Sequence, residues 1–317
     1  MEPGLQTVPQ LHTEIISWFT ANARDLPWRR RECTPWGVFV SEIMLQQTPV
    51  VRVLPVWEQW MQRWPTPAAL AAEASGEAVR AWGRLGYPRR ALRLHAAAAA
   101  MTEHFGGAVP DTHAELLTLP GVGNYTAAAV AAFAFGRREA VVDTNIRRVH
   151  ARALTGKALP SPALTAAEMR LAVELLPADE TASVAWNASV MELGALVCTA
   201  RSPKCGVCPV RRHCAWVAAG QPAPDYVPKG QAWAGTDRQV RGAVMAVLRS
   251  ARGPVLRSLL LGPVDLTAAG ADADPDLAAL AKLHALQAPA AQLERAVAGL
   301  LADKLAEEND GGLQLPA

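Results

Sequence analysis

At 317 residues, half of them apolar, the chain is long enough for a large core and for two or three domains. No stretch approaches the ~20 apolar residues of a membrane helix, and Met1–Gln10 has neither the basic start nor the apolar run of a secretory signal, so a cytosolic protein is expected. The net charge of +2, carried by 26 Arg and 5 Lys against 29 acidic residues, permits a nucleic-acid partner but does not argue for one.

The first two-thirds read as helices joined by short loops. Leu11, Ile15, Trp18 and Phe19 form the apolar stripe of an amphipathic helix. A second helix is expected over 38–47. It holds Glu42 among Val38, Phe39 and Leu45, and a carboxylate buried there must pair, bind a partner or keep its proton. An ordinary buried Glu–Arg pair competes with any chemical role. Thr48-Pro49 reads as an N-cap followed by proline at the first helical position, opening a helix over 50–63. Further helices are expected over 76–83, 89–104 and 112–118.

Leu119-Pro120-Gly121-Val122-Gly123 then separates that last helix from another over 124–135. Gly121 and Gly123 allow a tight turn with N–H groups presented at a helix N-terminus, which suits a phosphate. Such turns between helices are common, so the pattern is weak by itself. Asp143 follows Ala140-Val141-Val142 and opens a helix over 144–154. Its plain role is an N-cap, and the cap and helix dipole are expected to lower its pKa. Together, Glu42 and Asp143 can supply a protonated acid and an ionised carboxylate, the pair that cleavage of a glycosidic bond needs. Helices over 165–176 and 182–197 complete this part.

Cys198-x6-Cys205-x2-Cys208-x5-Cys214 gathers four of the five cysteines within 17 residues. A disulfide framework would spread them, so a metal or cluster site is the better reading. Four thiolates hold either a [4Fe–4S] cluster or zinc; the presence of one tight Cys-x2-Cys pair rather than two favours iron–sulfur. Arg201, Lys204, Arg211 and Arg212 lie between or beside the ligands, either to meet phosphates or to offset the thiolates. Beyond the Pro/Gly-rich Gly220–Gly235, Val240–Leu248 and Ala290–Leu305 read as helices, and Glu308–Pro316 as a hairpin around Asp310-Gly311-Gly312. The expected architecture is mainly α, with a domain over 1–226, a linker over 227–236 and a small winged-helix-like domain over 237–317, for which a plain structural helical appendage is an equal reading.

Residues 10–216 resemble the helix-hairpin-helix DNA glycosylases, specifically the adenine DNA glycosylase branch related to endonuclease III. The resemblance is carried by Leu26-Pro27-Trp28, Ser41–Thr48, Leu85-Gly86-Tyr87, Leu119–Thr126, Val142-Asp143-Thr144-Asn145, Met191–Ala195 and the four cysteines. It implies a two-lobed helical fold with a [4Fe–4S] cluster on Cys198, Cys205, Cys208 and Cys214. It also implies a catalytic group of Glu42, Asp143, Tyr125 and Asn145. Glu42 would protonate adenine at N7, and Asp143 would stabilise the oxocarbenium-like sugar. Gln47 and Tyr87, beside Thr48, would fill the duplex where the base has left, and Arg29 and Glu192 would contact the extruded adenine. Tyr125 stands where bifunctional relatives carry a Schiff-base lysine, and a phenol cannot form that imine. The implied partner is double-stranded DNA with A:8-oxoguanine or A:G mispairs, acted on by a monomer. One departure is visible: the family's usual C-terminal module is β-rich and Nudix-like, whereas residues 237–317 are shorter and more helical. The alternatives are a bifunctional endonuclease III-type enzyme and a non-catalytic iron–sulfur redox sensor that binds DNA.

Overall fold

The computed structural model describes residues 8–227, 230, 232–262, 275–309 and 312–317. Its elements run α1 (Val8–Asn22), α2 (Pro35–Leu45), α3 (Val50–Arg63), α4 (Pro67–Ala71), α5 (Ser75–Trp82), α6 (Arg89–His104), α7 (His113–Leu116), α8 (Asn124–Phe135), α9 (Thr144–Thr155), α10 (Ala166–Glu174), α11 (Glu180–Leu196) and α12 (Ala215–Ala218). The C-terminal part adds α13 (Asp237–Ser250), β1 (Val255–Leu256), α14 (Arg257–Leu261), α15 (Pro275–His284), α16 (Ala290–Ala302), β2 (Glu307–Asn309) and β3 (Gly312–Gln314). The mainly helical expectation holds. No helix among the described residues is long and apolar enough to cross a membrane.

The chain divides into two compact units that do not follow its linear order. The first comprises Met1–Glu42, Pro110–Thr118 and Val122–Pro228. Its core joins Leu11 and Ile15 of α1, Ala128, Ala129 and Ala132 of α8, Ile146 and Val149 of α9, and Trp186, Val190 and Leu193 of α11. Alanine along α8 is what allows the chain to bury every residue from Thr126 to Ala132, since no bulky side chain holds the neighbours away. Gly194 does the same for α11: a Cβ there would lie 2.7 Å from Asn145 Cβ, at the start of α9.

The second unit comprises Ile43–Val109, Leu119–Gly121 and Lys229–Ala317. In it α6 packs on α4 and α5, and α13 packs on α15, α16 and α5. The three strands form an antiparallel sheet in the order β1-β3-β2, with Val255 opposite Leu313 and Glu308 opposite Leu313 on the other edge. The described C-terminal part thus runs helix, strand, three helices and a terminal hairpin. The tip residues Asp310 and Gly311 lie outside the described residues.

Several boundaries differ from expectation. Helix α2 starts at Pro35 and ends at Leu45, not Gln47, because Gln47 takes a left-handed backbone with φ 53°. Thr48 is not an N-cap: Pro49 occupies that position, and the Thr48 hydroxyl turns inward instead. Short α4, α14 and α15 and strand β1 were not legible, being too short or too apolar all round for a clear period.

Candidate active site

Glu42 sits in the last turns of α2, an apolar helix whose Val38, Phe39, Val40, Ile43 and Met44 are all buried. The Glu42 residue is 6% exposed, and the Tyr125 hydroxyl donates to its Oε2 at 3.0 Å. Burial pushes the Glu42 carboxyl up to about 7, aided by the nearby Asp143 and opposed by the Tyr125 bond and Arg29. Tyr125 belongs to the first turn of α8, directly after the glycine turn. Burial and the two carboxyls hold its pKa well above the ordinary phenol value, so it stays a neutral donor.

Asp143 caps α9. Its Oδ1 accepts from the Ile146 backbone N–H at 2.6 Å, and its Oδ2 accepts from Asn145 Nδ2 at 2.8 Å. The expectation of a lowered pKa is corrected: burial raises it, outweighing the cap bonds and Arg148, which pull it down.

Behind Asn145 lies Arg148, which sequence reading missed. Its Nη2 donates to Asn145 Oδ1 at 2.8 Å and to the Gly194 carbonyl at 2.7 Å, while its Nε donates to the Cys198 carbonyl at 2.7 Å. One guanidinium thus connects Asn145, the side-chain partner of Asp143, to a cysteine of the loop. Glu192, on α11, has no exposure and accepts from Arg24 through its backbone N–H, Nε and Nη2, and from Arg29 Nη2 at 3.0 Å. Burial pushes its pKa up, yet these bonds outweigh that and hold it at about 2. Arg24 had no sequence signal, since a lone arginine in a loop has no period. Arg29 Nη1 is buried without a hydrogen-bond partner in the described structure.

The four cysteines of the loop are free, half-buried thiols. Arg152 Nη1 donates to Cys198 Sγ and Gln221 Nε2 to Cys205 Sγ, each at 3.4 Å, which is the environment of cluster sulfurs. The donor set fits a [4Fe–4S] cluster held by Cys198, Cys205, Cys208 and Cys214.

The first unit therefore brings together Glu42, Tyr125, Asp143, Asn145, Arg29 and Glu192, with Gly123 as the N-cap of α8. Gln47, Thr48, Tyr87 and Gly121 belong to the second unit. Gly121 has φ +80°, and a Cβ there would meet the Arg93 side chain at 2.7 Å, which accounts for glycine at that point of the turn.

Comparison with known proteins matches residues 40–174 to the HhH-GPD superfamily of base excision DNA repair proteins, and residues 198–214 to the iron–sulfur binding domain of endonuclease III. The adenine DNA glycosylase of Mycobacterium tuberculosis (strain H37Rv) is 46% identical over 306 residues, 96% of this chain and 93% of that protein. That of Mycolicibacterium smegmatis is 52% identical over 247 residues, 78% of this chain and 83% of that protein. The human adenine DNA glycosylase is 42% identical over 210 residues, which cover 63% of this chain and 38% of the human one. Among solved structures, a thermostable thymine-DNA glycosylase superposes with a TM-score of 0.60 at 27% identity, over 68% of this chain and 98% of that one.

Proposed function

Since this chain belongs to the adenine DNA glycosylase family, we propose that it is a monofunctional glycosylase that excises adenine mispaired with 8-oxoguanine or guanine. The observation that carries the reading is the buried Glu42–Tyr125 pair, whose carboxyl is pushed up to about 7, in the same unit as Asp143, the cap of α9. A proton held at neutral pH is what a poor leaving group such as adenine requires.

In this scheme Glu42 gives its proton to N7 of the extruded adenine. The C1′–N9 bond breaks, its electrons leave with the base, and the sugar develops oxocarbenium character. Asp143, as carboxylate, stabilises that charge, and Asn145 keeps its Oδ2 oriented. Water then adds to C1′ and yields its proton to a carboxylate. Glu192 acts by orienting Arg29, whose partnerless Nη1 is the group offered to the base. Gln47 and Tyr87, with Thr48, Gly121 and Gly123, are assigned to the duplex. The cluster, when bound, ties four points of the basic Cys198–Cys214 loop together. The catalytic residues all fall within 1–226, and residues 237–317 are assigned as an accessory module beyond the linker. The proposal includes action as a monomer in the cytoplasm, in keeping with four cysteines grouped for a cluster rather than spread as a disulfide framework.

The test is a strand-cleavage assay on A:8-oxoguanine and A:G duplexes, with and without alkali. We expect base release with an intact backbone until alkali is added, and no efficient borohydride-trapped complex, because Tyr125 offers no amine. Glu42→Gln should lower single-turnover excision by at least ~100-fold while DNA binding survives. Robust cleavage without alkali by the wild-type protein would replace this reading with the bifunctional one. Near-normal excision by Glu42→Gln would return that residue to a packing role.

A further inference from the structure

Within segment 43–109, Gln47 and Tyr87 are the two non-glycine residues described with left-handed backbones, at φ 53° and 48°. Such a conformation is disfavoured roughly tenfold or more in population for an L-residue, so each turn must be held from outside. Both turns close on a single side chain, that of Arg90 in the first turn of α6, which is only 7% exposed.

The Arg90 fork reaches five acceptors. Nη1 donates to the Ile43 and Met44 carbonyls at 3.1 and 3.2 Å and also to the Gln46 carbonyl. The first two are unpaired C-terminal carbonyls of α2, one and two residues after Glu42. Nη2 donates to Thr48 Oγ1 at 2.9 Å and to the Gly86 carbonyl at 3.2 Å. Its guanidinium also lies against the Tyr87 and Trp82 rings, at 5.4 and 5.2 Å from their centroids. Trp82 Nε1 seconds the bond to Gly86, at 2.8 Å, and Thr48 Oγ1 reaches the Leu85 carbonyl at 3.4 Å. The backbones are pinned from beneath while the Tyr87 residue stays 51% exposed.

We propose that Arg90 is a positioning residue for base extrusion: its planar fork locks the Gln47 and Tyr87 turns to one another and to the end of the helix carrying Glu42. The inference rests on the assignment of Gln47 and Tyr87 to the space left by the flipped base. A lysine keeps the charge, but a single ammonium cannot serve both turns and the helix end at once.

Extrusion is read separately from chemistry with full-length protein in a Glu42→Gln background. The duplex carries 2-aminopurine at the target position opposite guanine; its fluorescence gain on binding reports unstacking, and anisotropy reports affinity. Arg90→Lys should lower the extruded-to-stacked ratio about tenfold, as the left-handed turns relax, with the melting temperature and affinity for fully paired duplex little changed. Gln47→Ala and Tyr87→Ala should lower the ratio as well. Adding Arg90→Lys to the Gln47→Ala/Tyr87→Ala protein should lower it no further, because Arg90 acts through those two residues. Extrusion at the parental level in folded Arg90→Lys, or a further full drop in the triple variant, overturns the inference while leaving the wedge assignment standing. If neither alanine variant alters extrusion, the wedge assignment fails and the inference falls with it. Should Arg90→Lys not fold, Thr48→Val removes an acceptor of Nη2 and leaves the cation in place. The same direction of change is expected there, and unchanged extrusion overturns the proposal.

Discussion

At the scale of single residues, the site is an argument about protons. Glu42 is raised from an ordinary 4.5 to about 7 by burial first, and the Tyr125 hydrogen bond is the largest influence in the opposite direction. Excision that needs the protonated form should therefore fall as pH rises through about 7. Tyr125→Phe removes the bond that favours the carboxylate, so the alkaline limb of a single-turnover profile should move to higher pH. A limb that stays in place, or moves down, would mean that Glu42 is not the group being titrated. The same shift has a cost in stability with a definite sign. The folded state holds its proton more tightly than the unfolded one, so the contribution of Glu42 is fully present below about 4.5 and is lost as pH rises to about 7.

At the scale of elements, what matters is how closely α9 and α11 approach. Asp143 caps the first, Glu192 lies on the second, and Gly194 is the point where they meet Asn145. Gly194→Ala places a methyl group 2.7 Å from Asn145 Cβ and 2.9 Å from its carbonyl oxygen, both on a helix that cannot yield easily. We expect about 1–3 kcal/mol of destabilisation, read by thermal melting, together with reduced excision as Asn145 is displaced from Asp143. A variant that melts normally and excises normally would show that the two helices separate without disturbing the cap. Arg148 spans the same junction, from Asn145 to the Cys198 carbonyl, so the start of the loop and the side-chain partner of Asp143 are linked through one guanidinium.

At the scale of the molecule, the C-terminal module is part of a compact unit with residues 43–109. The Gly76 N–H donates to the Pro316 carbonyl at 2.8 Å, Arg80 Nη1 donates to the Ala251 carbonyl at 2.9 Å, and Arg89 pairs with Asp303 at 3.2 Å. Gly76 allows this landing, since a Cβ there would collide with the Pro316 carbonyl and with Leu315. The exposed part of α16 carries Glu294 and Arg295, the latter paired with Asp237, and β2 carries Glu307 and Glu308. That charge suits a buttress better than a phosphate-facing reader. Deleting residues 237–317 should therefore lower the melting temperature by at least ~4 °C, more than one kcal/mol costs a chain of this size. Excision from A:8-oxoguanine and A:G duplexes should fall by the same factor. A selective loss on A:8-oxoguanine would instead make the module a reader of the opposite base.

The sequence by itself determined the helical class, the cysteine loop and the glycine turn, and it singled out Glu42 and Asp143 as the carboxyls to propose for the chemistry. Each of these rests on information that is local along the chain: helical period, short spacings between like ligands, and glycines where a turn demands them. It also determined that Glu42 lies in an apolar stripe, hence that its carboxyl would be costly to ionise. Tertiary structure decided what depends on residues far apart. It decided the direction of the Asp143 shift, because burial outweighs the cap that sequence could see. It decided that Glu192 is saturated by Arg24 and Arg29, 168 and 163 residues away. It turned Thr48 from a helix cap into an anchor for Arg90, and it joined the C-terminal module to the segment 43–109. Such partners share no spacing or period along the chain, and only the packed core brings their charges and carbonyls within reach of one another.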